Sequence, residues 1–357
     1  MDTPNALFRT PLFRYALLLL AVYLLGLNLY VASRFLIPFC TAALLAMLML
    51  PLCQRLENWR LPRLAAILVC LLLILAILVG IGLLLSIQII NFVRDLPSLQ
   101  GQLASKLEGV QHLIERLTDV TANEQVEFVK LRLSEALGAT GLYLVTMLKT
   151  ATGTMTTFVI ILIYTAFFLF YRDRFTRFVF MVTSREHHPF VRDMLTQISQ
   201  VTQRYLSGVL TVMFILATLN TIGLTVIGIR QALFFGVLAG LLNIIPYIGT
   251  FLGGLIPTLV ALLTYESLMP ALTVAALSIG TQFLDTNVLT PYIVGGKVKV
   301  NALATIMALL IGGYLWGIAG MILFIPLTGI VKIIFDNVGP LRPFGYLIGD
   351  EAELNEH

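Results

Sequence analysis

One carboxylate stands out in the C-terminal half of the sequence. Between Leu206 and Ile334 the only acidic residues are Glu266 and Asp285, and Glu266 falls in a short polar turn. Asp285 instead ends an apolar run, with Gln282 three residues before it on the same helical face. An ionisable group at membrane depth is costly and typically marks an ion or proton pathway. The alternative is that Asp285 lies at the membrane surface, solvated or capping a helix end.

Two uncharged amides extend this candidate pathway. Asn287 lies two residues beyond Asp285, and Asn243 stands three residues before Pro246, in the break of a long apolar segment. Freed carbonyls and a half-helix N-terminus at such a break can face a ligand. We therefore expect the transport pathway to contain Asp285, Gln282, Asn287 and Asn243. Asn220, inside another apolar run, is interpreted as a hydrogen-bonding contact between helices.

The sequence lacks the motifs of an enzyme, a metalloprotein or an ATP-driven pump. It contains no Ser-His-Asp order and no His-Glu-x-x-His, and Gly295-Gly296-Lys297 is followed by Val298 where a phosphate-binding loop needs Ser or Thr. The three cysteines form neither a disulfide framework nor a zinc spacing. We predict no catalytic residue, no metal site and no cofactor.

The composition is that of a polytopic membrane protein. Hydrophobic residues make up 58% of the chain and charged residues 12%, with a mean hydropathy of +0.93, whereas soluble domains have roughly 25% charged residues. Apolar runs long enough to span a membrane lie at Tyr15 to Ala32, Phe35 to Cys53, Leu64 to Ile90, Gly153 to Tyr171, Leu206 to Gly228 and Leu268 to Asp285. The isoelectric point near 9.0 reflects basic cytoplasmic loops and does not indicate nucleic-acid binding.

Two further apolar segments, Gln231 to Leu263 and Asn301 to Ile334, are too long for a simple span and contain helix breakers near their centres. Each follows an ordinary span, so a span-plus-broken-segment unit occurs twice, at an offset of 70 residues. Paired interrupted segments point to the substrate site of many transporters. The predicted breaks are Pro246 and Gly249 in the first segment and Gly312, Gly313 and Gly317 in the second. The alternatives are one long bent crossing each, or two hairpins that resemble each other by chance.

Basic residues predict which loops face the cytoplasm. The segment from Arg172 to Arg204 carries six arginines against three acidic residues, so the positive-inside rule places it in the cytoplasm together with both termini. The segment from Asn91 to Lys149 has six basic and seven acidic residues and should face the other side. Within it, apolar residues recur every three or four positions from Leu99 to Leu117 and from Val126 to Leu137, which predicts two amphipathic helices. Contact with another subunit is our preferred role for them, and packing within the chain is the alternative.

Three stretches of the chain resemble the autoinducer-2 exporter family of bacterial membrane proteins: Asn243 to Gly249 (NIIPYIG), Gln282 to Gly295 (QFLDTNVLTPYIVG) and Leu310 to Pro326 (LIGGYLWGIAGMILFIP). The resemblance covers nearly the whole chain, and the Pro-x-x-x-Gly element of the second stretch falls on Pro291 and Gly295. Family members usually carry Glu where this chain has Asp285, so the carboxylate is kept but shortened by one methylene.

The resemblance implies a multi-pass transporter of the bacterial inner membrane, bound by membrane lipid and assembled as a homo-oligomer, with pentamers associated with the fold. It would export a small hydrophilic solute, or couple ions, without ATP. One alternative is a sodium (cation)/proton antiporter, since some relatives are described so. Another is a non-transporting scaffold whose linker recruits a partner.

The predicted fold is an all-α polytopic membrane protein with about five to six full spans, two broken or re-entrant helical hairpins and an extracytoplasmic amphipathic helical linker. The expected regions are three spans in 1–90, the linker in 91–149, the fourth span and arginine-rich loop in 150–205, the translocation region in 206–337 and a cytoplasmic tail in 338–357.

Overall fold

The computed structural model describes residues 11–118, 155–245, 248–294 and 300–350. The helices in these ranges are α1 (Pro11–Val31), α2 (Ser33–Asn58), α3 (Arg63–Thr118), α4 (Met155–Phe170), α5 (Arg172–Val182), α6 (His188–Ile227), α7 (Ala232–Leu242), α8 (Ile248–Thr264), α9 (Met269–Leu284), α10 (Ala302–Asn337) and α11 (Arg342–Ile348). A π-helical segment, Asp285–Val294, continues α9. The only β-pairing among the described residues is an isolated bridge between Val300 and Gly349. The predicted all-α polytopic fold is confirmed.

The fold consists mainly of long apolar helices. Within the described ranges, four helical stretches have the length and hydropathy of membrane spans, and the bent pair α4 and α5 would make a fifth. The helices α1, α7 and α8 are also apolar but shorter. Helices suit the membrane interior because each one satisfies its backbone N–H and C=O groups internally, where no water can do so. The chain is therefore a multi-pass membrane protein.

The structure corrects two secondary-structure predictions. α3 is one helix of 56 residues, so the amphipathic stripe from Leu99 to Leu117 continues a span instead of forming a separate helix. The arginine-rich segment, predicted as a loop, is largely helical because it contains α5 and the first part of α6. Arg, Gln, Leu and Met, which occur in this segment, have high intrinsic helix propensities. The second amphipathic stripe, Val126 to Leu137, lies outside the described residues.

The chain divides into two compact units, each assembled from separate stretches of sequence. The first comprises Met1–Ile67, Phe158–Gln203 and Lys297–His357, and the second Leu68–Thr157 and Arg204–Gly296. Each unit contains one of the two broken apolar segments.

In the first unit, α10 folds back on itself at Gly317, whose φ of 61° and ψ of −142° interrupt the helix. The two arms on either side of this turn are in close backbone contact: a Cβ added to Gly312 would lie only 2.5 Å from the carbonyl oxygen of Gly320. A straight helix of this length would hold its ends about 54 Å apart. Instead the N–H of Asn301, just before α10, donates to the carbonyl of Ile348 over 3.0 Å. Ile348 ends α11, the short helix that follows the C-terminal end of α10. α10 is thus a helical hairpin whose first and last residues lie at the same end of the hairpin.

This geometry also locates the predicted breaks in the second segment. The reversal occurs at Gly317 alone, whereas Gly312 and Gly313 are helical residues of the first arm. Their lack of a side chain serves close packing, since Gly312 faces Gly320 and Gly313 faces the side chain of Met321.

In the second unit, α7 and α8 form the other hairpin. The Tyr265 hydroxyl, just after α8, donates to the carbonyl of Gly228, just before α7, over 2.5 Å. Phe235 of α7 belongs to the same buried apolar cluster as Val260 and Ala261 of α8. The two ends of the hairpin therefore meet, as they do in α10.

The break between α7 and α8 runs from Leu242, the last residue of α7, to Ile248, the first residue of α8. Gly249, a predicted break residue, lies in the first turn of α8, and a Cβ there would overlap the carbonyl group of Leu242. Pro246 lies outside the described residues.

Candidate transport site

A polar cavity lies in the second unit, beside the break between α7 and α8. Its empty volume is about 320 Å³, counting the part open to the surroundings. Four helices line it with Leu216, Asn220, Ala239, Asn243, Thr250, Gly253, Gly254, Ser278, Thr281 and Gln282. Six of these ten residues have an amide or hydroxyl side chain, although every contributing helix is predominantly apolar.

Hydrogen bonds to two helices hold the side chain of Asn220 in position. Its Nδ2 donates to the carbonyl of Leu216 on α6 over 2.8 Å, and its Oδ1 accepts from the Thr281 hydroxyl of α9 over 3.4 Å. Asn220 is only 8% exposed, so these bonds satisfy an amide that is otherwise surrounded by apolar groups. Ser278 lies one turn before Thr281 and Gln282, so one face of α9 carries all three polar groups.

Glycines bring the lining helices close together. A Cβ on Gly236 of α7 would lie 2.1 Å from the Thr221 hydroxyl of α6, and one on Gly254 of α8 would lie 2.9 Å from Cβ of Ser278 on α9. Small residues at such contacts let membrane helices approach to backbone distance. The four helices can therefore surround the cavity without large side chains filling it.

None of the ten lining residues carries a charge. Amide and hydroxyl groups both donate and accept hydrogen bonds, which suits an uncharged hydrophilic solute. Their oxygens also suit a hard monovalent cation that has lost part of its water. Among the described residues, no group of three or more His, Cys, Asp or Glu side chains could hold a metal ion.

Asp285 lies close in sequence to this cavity but is not part of its lining. It is 6% exposed, and its Oδ1 accepts a hydrogen bond from the Thr290 hydroxyl over 2.7 Å. That contact spans five residues, which are neighbours on a π-helix. Pro291 lies within the same π-helix, and a proline ring would clash with the carbonyl four residues earlier in an α-helix. The wider turn relieves this clash and brings Thr290 to the carboxyl group.

The predicted pathway residues fall into two groups. Asn243 and Gln282 line the cavity, with Gln282 Nε2 donating to the Thr286 hydroxyl over 3.0 Å. Asp285 is buried beside it, whereas Asn287 is exposed and its amide donates to the carbonyl of Phe283 on its own helix over 2.9 Å. Asn287 therefore does not contribute to the cavity.

The remaining site predictions concern the Pro-x-x-x-Gly element. Pro291 is exposed and π-helical and does not lie in a loop, and Gly295 lies outside the described residues. The sequence reasoning missed four polar lining residues or gave them no role in transport: Asn220, Thr250, Ser278 and Thr281. The spacing of Ser278, Thr281 and Gln282, three and four apart, was the signal that could have identified the polar face of α9.

Residues 12–339 match the sequence profile described as AI-2E family transporter. The chain is 24% identical over 335 residues to the AI-2 transport protein TqsA of Escherichia coli (strain K12), covering 93% of this chain and 94% of TqsA. It is 26% identical over 316 residues to YueF of Bacillus subtilis (strain 168), whose description as a transport protein is provisional, covering 86% and 85% of the two chains. YrrI of the same organism, described in the same way, is 38% identical over 129 residues, which is 36% of each chain. This chain belongs to the AI-2E family of transporters.

Proposed function

We propose that this protein carries a small hydrophilic solute across the bacterial inner membrane, without ATP, through the polar cavity of its second unit. The observation that carries the proposal is this uncharged, hydrogen-bonding cavity at the break of the α7–α8 hairpin. Export is the proposed direction. The name of the E. coli relative refers to AI-2, so AI-2 is the first solute to test.

The cavity residues supply the chemistry that such passage needs. A hydrophilic solute that leaves water loses its hydrogen bonds, and each unpaired polar group costs free energy in an apolar environment. Asn220, Asn243 and Thr281 can replace these bonds with donors and acceptors from three different helices. Helix ends in general leave some backbone groups without intrahelical partners, so the end of α7 at Asn243 could offer such groups to a solute.

The test is solute flux in proteoliposomes for two matched variants. Asn243→Leu places an apolar side chain in the cavity, whereas Asn287→Leu makes the same change on an exposed site whose amide bonds only to its own helix. We expect Asn243→Leu to abolish AI-2 flux and Asn287→Leu to retain it, with both variants folded by gel filtration and circular dichroism. Equal flux in the two variants would contradict the proposed pathway.

Cation/proton antiport is the second candidate function, and the buried carboxyl group of Asp285 favours it. A carboxyl group at 6% exposure can exchange a proton for a monovalent cation, because an unpaired charge there is costly. In this mechanism the Asp285 carboxylate supplies the counter-charge for the cation, and Gln282 and Asn243 supply neutral ligands to it in the neighbouring cavity.

Antiport is tested with a pH-sensitive dye inside proteoliposomes to which sodium, potassium or lithium is added. Asp285→Asn removes the buried carboxylate, and Glu266→Gln removes the exposed one, the only other acidic residue between Leu206 and Ile334. Antiport predicts a cation-driven proton signal that Asp285→Asn loses and Glu266→Gln keeps. A wild-type protein that moves AI-2 without any proton signal would exclude antiport. An intact protein silent in both assays would favour the non-transporting scaffold.

A further inference from the structure

Helix α5 presents an exposed apolar face, of which only Phe175 has a ring contact within the described part of the chain, with Phe168 of α4 at 5.7 Å between centroids. Its residues Phe175, Phe178 and Val182 share one side, because positions three and four apart on a helix lie above one another. All three are exposed, Phe178 by 64% and Val182 by 73%. A contiguous exposed apolar row of this kind marks a surface that contacts another apolar phase or protein.

The opposite side of α5 is held by the rest of the first unit. The Phe180 ring packs on the imidazole of His188 with centroids 5.1 Å apart, and Asp173 accepts a hydrogen bond from Arg63 over 2.6 Å. His188 Nε2 lies 3.0 Å from the Phe180 carbonyl oxygen and 3.1 Å from that of Thr183. Because both neighbours are acceptors, Nε2 carries the proton and donates to the C-terminal end of α5. These contacts fix the rotation of α5 and leave Phe178 and Val182 on its apolar side exposed.

The position of α5 in the chain brings that side to a membrane. α5 follows α4 directly and leaves it at an angle of 61°. Exposed apolar residues run along α4, among them Val159, Ile163 and Phe167, as expected for a lipid-facing span. A helix that leaves a span at this angle runs closer to the membrane plane than to its normal.

Both Arg174 and Arg177 are exposed, but only Arg174, four residues before Phe178, borders the apolar face. Arg177 instead shares the held side with Asp173 and Phe180. The Arg174 guanidinium lies 5.1 Å from the ring centroid of Tyr171, at the junction of α4 and α5. A helix with large apolar residues on one face and basic residues beside them is typical of helices that lie in the headgroup region. Arginine there pairs with phosphate through two parallel hydrogen bonds.

We propose that α5 is an interfacial helix that inserts Phe175, Phe178 and Val182 among the acyl chains of an anionic leaflet, while Arg174 binds lipid phosphate. This assigns a binding surface for anionic lipid to the first unit, separate from the cavity of the second. It does not depend on the solute that the protein carries.

The experiment compares Phe178→Cys with Thr176→Cys, an exposed residue on the polar side of the same helix. Each cysteine carries an NBD fluorophore in the full-length chain, whose three native cysteines are replaced by alanine, in vesicles of phosphatidylcholine and phosphatidylglycerol. Lipids with a nitroxide high in the acyl chain should quench the fluorophore strongly at Phe178→Cys and weakly at Thr176→Cys. Equal quenching at the two positions would overturn the insertion.

The charge part of the proposal has its own measurement, the quenching at Phe178→Cys by nitroxide-labelled phosphatidylglycerol relative to labelled phosphatidylcholine. Arg174→Gln should lower this preference by about fivefold, from the attraction of one basic side chain to an anionic surface, whereas Arg177→Gln, on the held side of α5, should lower it less. An unchanged preference would refute phosphate binding. Quenching that appears only when the protein is diluted with lipid would show that a second copy covers this face, and would also overturn the proposal.

Discussion

The turn of the α10 hairpin rests on one residue, and its replacement gives a quantitative test of the fold. Gly317 has φ 61° and ψ −142°, a combination that side-chain-bearing residues avoid, at a cost of about 1 to 3 kcal/mol. A Cβ at this position would meet no atom within 4 Å. Gly317→Ala should therefore destabilise the protein through its backbone alone, with no steric clash.

Gly280 offers a matched control within α9. A Cβ there also meets nothing within 4 Å, but the backbone is helical, so Gly280→Ala should stabilise by about 0.5 to 1 kcal/mol. The free energies of unfolding of the two variants should then differ by about 1.5 to 4 kcal/mol, the sum of the two effects. The measurement is an SDS titration from mild detergent followed by circular dichroism. If Gly317→Ala were as stable as Gly280→Ala, α10 would not reverse at Gly317.

Three further changes test contacts of the first unit. Trp316→Phe removes the indole N–H bond to the Leu29 carbonyl, which measures 2.9 Å, and should lower the free energy of unfolding by about 0.5 to 1.5 kcal/mol in the same titration. Asn301→Ala removes the side chain that caps the start of α10 and should lower the free energy of unfolding by about 1 kcal/mol in the same titration. The pKa of Asp173 is lowered, chiefly by its hydrogen bond from Arg63. The free energy that this carboxylate contributes to folding is therefore fully present above the ordinary aspartate pKa and is lost as the pH falls through the lowered pKa. The melting temperature of Asp173→Asn should therefore fall less than that of the wild type as the pH is lowered through this range.

The hairpins were predictable because membrane helices and their interruptions have strong sequence signals. Uninterrupted apolar runs predict spans, and a run too long for one span with Gly, Asn or Pro at its centre predicts a reversal. Which glycine makes the turn was not predictable, since Gly312, Gly313 and Gly317 all lie near the centre of the segment. Two of them serve close packing, and only the backbone angles distinguish Gly317.

The helical state of the arginine-rich segment was missed for a different reason. Hydropathy separates spans from loops, but it does not separate a loop from a helix outside the membrane. The apolar spacing of Phe175, Phe178 and Val182 was present in the sequence and predicts an amphipathic helix. The 61° bend and the contacts of His188 that orient this helix depend on tertiary structure, and no local pattern contains them.

For the cavity, the sequence singled out Asn243 and Gln282 but gave Asn220 only the role of a contact between helices. A polar side chain in an apolar helix can bond to its own backbone, to a neighbouring helix or to a ligand, and the residue type does not distinguish these. Asn220 bonds to its own helix at Leu216 and to the neighbouring helix at Thr281, so the interpretation as a helix contact describes part of its role. Its position in the cavity wall follows only from how α6 and α9 pack.

The second unit contains two different polar features, and they imply different transport chemistry. The cavity wall is uncharged, so a neutral solute can enter it and leave again without a strong charge to hold it. Asp285 lies buried just outside that wall and is engaged by Thr290, so a solute in the cavity need not touch it. Neutral solute passage therefore requires the cavity and tolerates the loss of the carboxylate, whereas antiport requires both. Because the two mechanisms differ in their need for Asp285, Asp285→Asn should keep AI-2 flux and lose any cation-driven proton signal, so measuring both separates them even if both activities occur in the wild-type protein.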